Sequence, residues 1–417
     1  MDVTRRELLA GLGGLLAAAA CGTRGAPSPA PATTRPLGDA LPVRRDFAIP
    51  AGQTWLNSAF IHPVPVAAAN AVRTYLETRT FREPRLRSGD SLAAEVKAEF
   101  AALINAKPAE ISLVQSTSVA EILVVSGLGM PGGKGGVVTD ALHFDGSLVL
   151  YGELAKRGVD LTIVRPRDWR IDLADIERAV RSDTRLVALS LVSWYNGFQH
   201  DLKAVCDVAH AKGAYVYADI IQAAGNTPID VRATGVDFCA CSTFKWLMGD
   251  FGIGFLYVRE DLLERVVRRT QIGYAEADEV LHYLPSDPPA DTPVTWTFRT
   301  DAGGHFEVGT YAQAAVNALS VSLPWLRRLG PEKIQAYRRP LLERLHEEMP
   351  RRGFASVTPR ESPSALIAFT MAGAEQRFAE RLGAAKVSVS LYGDRVRISP
   401  SIFNDMHDIE ALLDALS

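Results

Sequence analysis

The 417-residue chain is long enough for two or three domains, and its 47% hydrophobic and 22% charged residues exclude a disordered or collagen-like protein. Its 45 lysines and arginines nearly balance its 48 aspartates and glutamates, so no global positive field favours binding to nucleic acid or anionic lipid. Four cysteines are too few for a disulfide framework, and the spacing of the cysteines and histidines predicts no metal site.

The first residues have the layout of an export signal. Arg5 and Arg6 precede an apolar run over residues 8–20, which is too short to span a bilayer as a helix. The paired arginines resemble the twin-arginine signal of proteins that are exported already folded, and the alanines before Cys21 resemble a lipobox. We therefore expect a signal peptide over residues 1–21 and a periplasmic protein or a lipoprotein anchored to the membrane at Cys21. The alternative is an amphipathic N-terminal segment that is not cleaved.

Residues 22–53 are predicted to form a tether and an N-terminal segment. Proline, alanine and threonine dominate residues 22–42, where no hydrophobic periodicity is visible. The folded body is expected to begin near Val43.

Apolar runs alternate with amphipathic segments between residues 136 and 258. Strands are predicted over 136–139, 161–164, 186–192, 214–218, 237–241 and 254–258, and helices over 173–181 and 202–212. Because the apolar runs are continuous rather than alternating, they predict strands that are buried on both faces. This order is typical of an α/β fold with a mixed, mostly parallel sheet.

The pattern changes after residue 310. Helices are predicted over 311–329 and 331–349, strands over 365–370, 387–390 and 395–399, and a last helix from Asp405. Long helices followed by a few strands indicate a smaller α+β domain. The expected boundaries are therefore residues 54–310 for a large domain and 311–417 for a small C-terminal domain.

The glycine-rich stretch over residues 127–136 does not have the spacing of a phosphate-binding P-loop. Leu128 stands where the first glycine would be, and Gly135 stands where the serine or threonine that binds Mg²⁺ would be. We interpret this stretch as a loop that enters a strand.

Polar residues follow two of the predicted strands. Asp219 comes directly after the run at 214–218, Gln222 lies three residues later, and Ser242 and Lys245 follow the next run. Ligand sites of open α/β sheets lie at the carboxyl ends of strands, so both segments could face one crevice. Taken singly, a carboxylate after a strand is often a turn cap, and a lysine there is often a solvated loop residue.

Together these residue types fit pyridoxal phosphate. That cofactor needs a lysine for a Schiff base, an acid beside its pyridine nitrogen, and small hydroxyls around its phosphate. Lys245, Asp219, Ser242 and Thr117 supply these groups.

From about Thr54 onward, the sequence resembles the class V aminotransferases of the fold-type I pyridoxal-phosphate superfamily. That family includes cysteine desulfurases and isopenicillin N epimerase. Residues 218–223 (ADIIQA) are similar to the family's VDGAQA segment, and residues 241–246 (CSTFKW) are similar to the segment that carries the Schiff-base lysine. The resemblance implies a fold-type I structure with a large cofactor-binding domain and a small C-terminal domain.

The resemblance also implies roles for the cofactor-binding residues. Lys245 would carry the cofactor and then act as the general base, Asp219 would pair with the pyridine nitrogen, and Gln222 would reach the ring hydroxyl. The other implied contacts are those of Thr117, Ser118 and Ser242 with the phosphate and of His143 with the face of the ring. Lys245, Asp219 and His143 are therefore the expected catalytic residues.

Three further residues are assigned by the same resemblance. Arg397 would hold the substrate carboxylate, and Asn57 would lie near the substrate. Residues 306–310 (FEVGT) resemble a segment whose threonine, here Thr310, reaches the phosphate of the neighbouring subunit. A homodimer is therefore expected.

The chain departs from the desulfurase pattern at several positions. Trp194 stands where desulfurases have an asparagine near the ring, and Phe244 stands where they often have a histidine. No cysteine follows Cys241, so the nucleophilic cysteine that takes sulfur from the substrate is missing, and persulfide chemistry on the protein is disfavoured. Cys239 and Cys241 alternate on a predicted buried strand, where small apolar packing is expected.

We therefore expect a pyridoxal-phosphate enzyme that acts on an amino acid or related amine through an α-carbanion, by transamination or epimerisation. One alternative is a pyridoxal-phosphate carbon–sulfur lyase. An alternative from another class is an exported, non-catalytic binding lipoprotein on the same fold.

Overall fold

The computed structural model of the protein describes residues 36–81, 89–133, 135–284 and 292–417. The predicted signal peptide, with Arg5, Arg6 and Cys21, lies outside the described residues. Among the residues that are described, no helix combines the length and the apolar character needed to cross a membrane.

The apolar runs form the strands of a seven-stranded central sheet. The first eight strands of the chain are β1 (Thr54–Trp55), β2 (Ile111–Val114), β3 (Gly136–Asp140), β4 (Leu161–Val164), β5 (Thr184–Ser190), β6 (Tyr215–Asp219), β7 (Phe238–Ser242) and β8 (Gly254–Val258). Strands β2 to β8 make the sheet in the order β2-β8-β7-β6-β5-β3-β4. All neighbours are parallel except β8, which is antiparallel to both β2 and β7. The prediction of a mixed, mostly parallel sheet is confirmed.

Helices connect these strands and cover the sheet. In chain order they are α1 (Val66–Phe81), α2 (Gly89–Leu103), α3 (Thr117–Gly127), α4 (Asp145–Lys156), α5 (Leu173–Ala179), α6 (Leu202–His210), α7 (Val231–Thr234) and α8 (Ala302–Phe306). Helix α6 shows how local chemistry sets the bounds. Asp201 caps it by accepting the Ala204 N–H at 3.1 Å, and Gly213, with φ at +79°, allows the chain to turn into β6.

Both faces of the central sheet are buried. Val216 and Cys239 belong to one hydrophobic cluster, whereas their chain neighbours Tyr217 and Phe238 belong to a second one. Successive side chains of a strand point to opposite faces, so the two clusters lie on the two sides of the sheet. Their burial agrees with the continuous apolar runs in the sequence.

The C-terminal part has a separate antiparallel sheet. The later strands are β9 (Ala277–His282), β10 (Val294–Phe298), β11 (Ala355–Ser356), β12 (Ile367–Thr370), β13 (Val387–Ser388), β14 (Ser390–Tyr392) and β15 (Arg395–Ile398), and the later helices are α9 (Gln313–Leu329), α10 (Pro331–Arg351), α11 (Ala374–Ala384) and α12 (Met406–Ala415). The sheet order is β11-β12-β15-β14. A third hydrophobic cluster, with Leu345, Phe369 and Val396 among its members, joins this sheet to its helices. The boundary between the two predicted domains stays a prediction.

Several features differ from the expected elements. No strand was predicted over residues 111–114, where β2 forms part of the central sheet. The single strand expected over 387–390 is divided, because β13 pairs in parallel with β1 whereas β14 pairs with β15. The hairpin of β9 and β10 was not expected from the sequence pattern. At the end of the predicted tether, the Gly38 carbonyl accepts the indole N–H of Trp325 at 2.8 Å, so this segment contacts α9.

Candidate active site

A pair of hydroxyl residues joins the start of α3 to the end of β7. Ser116 caps α3 by accepting the Val119 N–H at 3.2 Å. Thr117 donates its backbone N–H to Ser242 Oγ at 2.9 Å, and its hydroxyl accepts the Ser242 N–H at 2.8 Å. The N–H groups and the dipole at the start of a helix favour an anion, so this pair lies where a phosphate would be held.

Asp219 is the last residue of β6 and is only 3% exposed. One of its carboxylate oxygens accepts the Ile221 N–H at 2.9 Å. Burial raises the pKa of Asp219 to about 6, although the Ile221 N–H and the charges of His143 and Lys245 act in the opposite direction. A buried carboxylate of this kind is suited to pair with the protonated nitrogen of a pyridine ring.

Lys245 lies three residues beyond the end of β7, the strand beside β6 in the sheet. Burial and, to a smaller extent, the charge of Arg397 lower the pKa of Lys245 to about 8, while Asp219 acts to raise it. Its Nζ lies 5.7 Å from the centre of the Phe244 ring. The unprotonated amine, which is the form that attacks a carbonyl carbon, is therefore more populated near neutral pH than in an ordinary lysine.

His143 is held by hydrogen bonds at both ring nitrogens. Nδ1 lies 2.8 Å from Ser190 Oγ, and Nε2 lies 3.1 Å from Glu121 Oε1. The ring is 1% exposed. Burial acts to lower the pKa of His143, but the charge and hydrogen bond of Glu121, together with the charges of Asp140 and Asp219, outweigh it, so the pKa is raised. Because both nitrogens are engaged, the ring offers its face rather than a free N–H to a ligand.

Arg397 and Asn57, the two expected substrate-binding residues, are joined through Ser390. Ser390 Oγ donates to Asn57 Oδ1 at 2.6 Å and accepts from Arg397 Nη2 at 3.2 Å. Arg397 Nη1 also donates to the Trp194 carbonyl at 2.9 Å. The guanidinium is buried, and its charge acts on Lys245. A carboxylate held by Arg397 would therefore place the rest of an amino acid near the lysine.

Three expected site residues have other surroundings. Gln222 donates its side-chain N–H to the Ala59 carbonyl at 3.0 Å and accepts the Trp246 indole N–H at 2.9 Å. Ser118 and Thr310 are exposed to solvent. The contacts expected of these three residues with the cofactor ring, the phosphate and a partner subunit stay predictions.

The described cysteines are not placed to act as nucleophiles. Cys206, Cys239 and Cys241 are all free and buried. Burial raises the pKa of Cys206 to about 12 and raises the pKa of the other two well above the usual range. Their thiols therefore stay protonated and serve as small apolar groups in the core.

The arrangement fits pyridoxal phosphate in three respects. The amine of Lys245 has a lowered pKa, the Asp219 carboxylate is buried at a neighbouring strand end, and Thr117 with Ser242 lies at a helix start. Lys245 could hold the cofactor covalently, Asp219 could pair with its ring nitrogen, and the helix start could take its phosphate. The cluster can then bind an amino acid and remove its α-proton.

The fold and this cluster define a pyridoxal-phosphate enzyme, and comparison with known proteins gives the family. Residues 88–412 match the family model described as aminotransferase class-V. The chain belongs to this family, whose members use pyridoxal phosphate. The resemblance deduced from the sequence is confirmed.

Two relatives cover most of this chain. A probable cysteine desulfurase of Methanothermobacter thermautotrophicus is 30% identical over 313 residues, which are 73% of this chain and 74% of the relative. The uncharacterized aminotransferase YcbU of Bacillus subtilis is 24% identical over 86% of this chain and 91% of its own length.

Solved structures share the fold. An apo cysteine desulfurase of Thermococcus onnurineus NA1 is similar with a TM-score of 0.79 and 22% identity, over 90% of this chain and 97% of that one. The cystine C–S lyase C-DES, solved with its product cysteine persulfide, is similar with a TM-score of 0.75 and 20% identity, over 88% and 97% of the two chains. At this level of identity the similarity concerns the fold.

Several residues of the cluster were not expected from the sequence. Glu121 lies one helical turn after Thr117 on α3, a spacing that could have placed it on the same face. Ser390 has no local signal, because its partner Asn57 is distant in the chain. Arg395 precedes Arg397 by two residues on β15, and this alternation could have placed both on one face.

Proposed function

We propose that this protein is a pyridoxal-phosphate carbon–sulfur lyase that acts on an amino acid by elimination. The observation that carries the proposal is the pairing of a base, Lys245, with a carboxylate-binding group, Arg397, where every described cysteine is buried with a raised pKa. Such a site can break a carbon–sulfur bond but has no described thiol to receive the sulfur. The names of the relatives, which include desulfurases, support carbon–sulfur chemistry.

The substrate would be oriented by its carboxylate. Arg397 is anchored by the Trp194 carbonyl and by Ser390, so its guanidinium is held in one place. An arginine fork matches the planar geometry of a carboxylate. With the carboxylate fixed there, the α-carbon comes within reach of Lys245.

Lys245 would then take the proton from the α-carbon. The Cα–H bond breaks, its electron pair forms a double bond to Cβ, and the Cβ–S bond breaks with both electrons leaving on sulfur as a thiolate. Water then converts the remaining three-carbon fragment to pyruvate and ammonia, so no oxidant or reductant is consumed. The cofactor, when bound, supplies the electron-withdrawing ring that stabilises negative charge on Cα.

The proposal is tested on purified, cofactor-loaded protein. We expect pyruvate and a free thiol or persulfide from L-cystine or an S-substituted L-cysteine, without added 2-oxo acid. Lys245→Ala should lower turnover by several orders of magnitude and remove the borohydride-reducible chromophore, because the nucleophile and the base are lost together.

Matched variants separate this reaction from its rivals. Cys206→Ala, Cys239→Ala and Cys241→Ala should each keep the activity of the folded protein, since none of these thiols takes part. Product that forms only with a 2-oxo acid would indicate transamination, and inversion of the substrate without pyruvate would indicate epimerisation. A colourless protein that cannot be loaded with cofactor would favour the binding-protein alternative.

A further inference from the structure

A second arginine, Arg395, has surroundings similar to those of Arg397, the proposed carboxylate-binding residue. Arg395 and Arg397 are separated by one residue on β15, so their side chains leave the same face of the strand. Residues two apart on a strand have α-carbons about 6.6 Å apart. The strand therefore presents two guanidinium groups side by side.

The contacts of the two arginines match closely. Arg395 Nη1 donates to the Tyr195 carbonyl at 3.2 Å, and Arg397 Nη1 donates to the Trp194 carbonyl at 2.9 Å, so consecutive carbonyl groups anchor them. Both guanidinium groups lie over the Trp194 ring, at 5.1 and 5.9 Å from its centre, and over the Tyr392 ring, at 4.5 and 5.7 Å. Arg395 also lies 3.6 Å from the centre of the Tyr195 ring.

Neither positive charge has an acidic partner within the described part of the chain. Among the described residues, no carboxylate forms an ion pair with either guanidinium, although Arg395 is 6% and Arg397 is 2% exposed. The Nε atom of each is buried and has no hydrogen-bond acceptor. The charge of Asp145, an exposed residue at the start of α4, acts on Arg395, but the two side chains do not form an ion pair. Burying unpaired charge is costly, so two adjacent unpaired arginines indicate a ligand with two anionic groups.

We propose that Arg395 binds a second acidic group of the substrate, so that the site selects amino acids whose side chain ends in a carboxylate. The inference rests on the proposed function, because Arg397 is taken to hold the α-carboxylate. The aromatic rings of Trp194 and Tyr392 give the two subsites a common wall. Trp194, which stands where desulfurases have asparagine, would thus line both carboxylate subsites.

The test compares two ligands that differ in one charge. S-carboxymethyl-L-cysteine and S-carbamoylmethyl-L-cysteine have the same length and the same Cβ–S bond, but only the first carries a second carboxylate. Binding to the cofactor-loaded protein is followed by the change in its visible absorbance. Since one charged hydrogen bond is at stake, we expect the acid to bind about 10- to 100-fold more tightly than the amide.

Variants assign the preference to Arg395. Arg395→Gln should reduce the affinity ratio to near one, and Arg395→Lys should keep part of it. Arg185→Gln is the matched control, because Arg185 also stacks on a tyrosine, 4.8 Å from the centre of the Tyr215 ring, but lies at the start of β5. It should leave the ratio unchanged.

The outcomes separate the subsite from the reaction. A ratio near one in the unmodified protein, or an unchanged ratio in folded Arg395→Gln, would overturn the proposed subsite. If the ratio behaves as expected but neither ligand yields pyruvate, the subsite stands and the lyase proposal fails. If pyruvate forms from both ligands at equal affinity, the lyase proposal stands and the subsite is wrong.

Discussion

Glu121 Oε1, on α3, lies 3.1 Å from Nε2 of His143 and fixes the position of this histidine in the candidate site. The same carboxylate accepts hydrogen bonds from Ser147 at 2.5 Å and from Tyr151 at 2.8 Å. Three donors thus converge on one buried acid. The histidine ring is fixed in place, and its protonated form is stabilised.

We expect Glu121→Gln to lower the pKa of His143. Burial alone would lower that pKa, whereas the charge and hydrogen bond of Glu121 are the largest of the effects that raise it, ahead of the charges of Asp140 and Asp219. An amide at position 121 should therefore remove most of the increase. A raised folded-state pKa stabilises the folded protein at pH values below about 6.5, and this stabilisation is lost as the pH rises through the folded-state pKa. The Glu121→Gln variant should show a weaker pH dependence of stability from His143.

NMR titration of the His143 ring measures the shift directly. Glu153→Gln is a suitable control, since Glu153 is an exposed carboxylate of α4. An unchanged His143 pKa in Glu121→Gln would show that another group raises it.

The buried carboxylate of Asp219 should make the cofactor-free protein less stable as the pH rises. Its pKa is about 6 in the folded protein against 3.8 for an ordinary aspartate, so the folded state binds this proton more tightly. The unfolding free energy should therefore fall between about pH 4 and pH 6, by roughly 3 kcal/mol for a shift of this size.

Urea unfolding of the cofactor-free Asp219→Asn protein tests this contribution. The variant should match the parent protein near pH 4 and be more stable above pH 6, because asparagine carries no charge to bury. Asp278→Asn, at an exposed position of β9, should change neither value. Equal pH profiles for parent and Asp219→Asn would refute the prediction.

Gly197 lies where the chain after β5 passes the C-terminal sheet. Its φ is +76°, and an added Cβ would overlap the Leu366 carbonyl oxygen and approach Ser364 Oγ to 2.7 Å. Gly213 has a similar φ of +79° but no atom within 4 Å of the same position. An alanine at either position would strain the backbone, but only an alanine at position 197 would also clash with neighbouring atoms.

We expect Gly213→Ala to cost about 1 kcal/mol of stability, and Gly197→Ala to cost at least about 3 kcal/mol. Thermal unfolding of both variants gives the comparison. Equal losses would mean that the segment around Leu366 moves away without cost.

We propose that the active form is a homodimer in which Thr310 completes the partner's site. Thr310 is exposed in the single chain, as such a role requires. Light scattering should give a dimer, and Thr310→Ala should weaken cofactor binding. Mixing inactive Lys245→Ala chains with Thr310→Ala chains should restore activity, because one site of each mixed dimer has both residues. A fully active monomer would contradict the proposal.

We also propose export by the twin-arginine route. Replacing Arg5 and Arg6 together by lysine should leave folded, yellow protein in the cytoplasm, whereas Cys21→Ala should be exported but released from the membrane fraction. Cell fractionation with mass spectrometry of the N-terminus measures both. Normal export of the double lysine variant would refute the signal, and an unmodified soluble terminus in the parent protein would refute lipidation alone.

The sequence by itself determined strands β3 to β8 of the central sheet and the residues that follow them. Continuous apolar runs report burial on both faces, so the positions of Asp219 and Lys245 at strand ends could be predicted from their neighbours. Family resemblance then supplied the cofactor. These signals are local, and each lies within a few residues of the side chain that it describes.

Only the tertiary structure decided which distant groups meet. Asn57 is linked to Arg397 through Ser390, and Glu121 contacts His143. Backbone carbonyl groups of the loop at Trp194 anchor two arginines of β15. None of these contacts can be predicted from the spacing of hydrophobic residues, because that spacing indicates whether a residue is buried but not what packs against it. The unpaired charge of Arg395 therefore became visible only once β15 was placed against that loop.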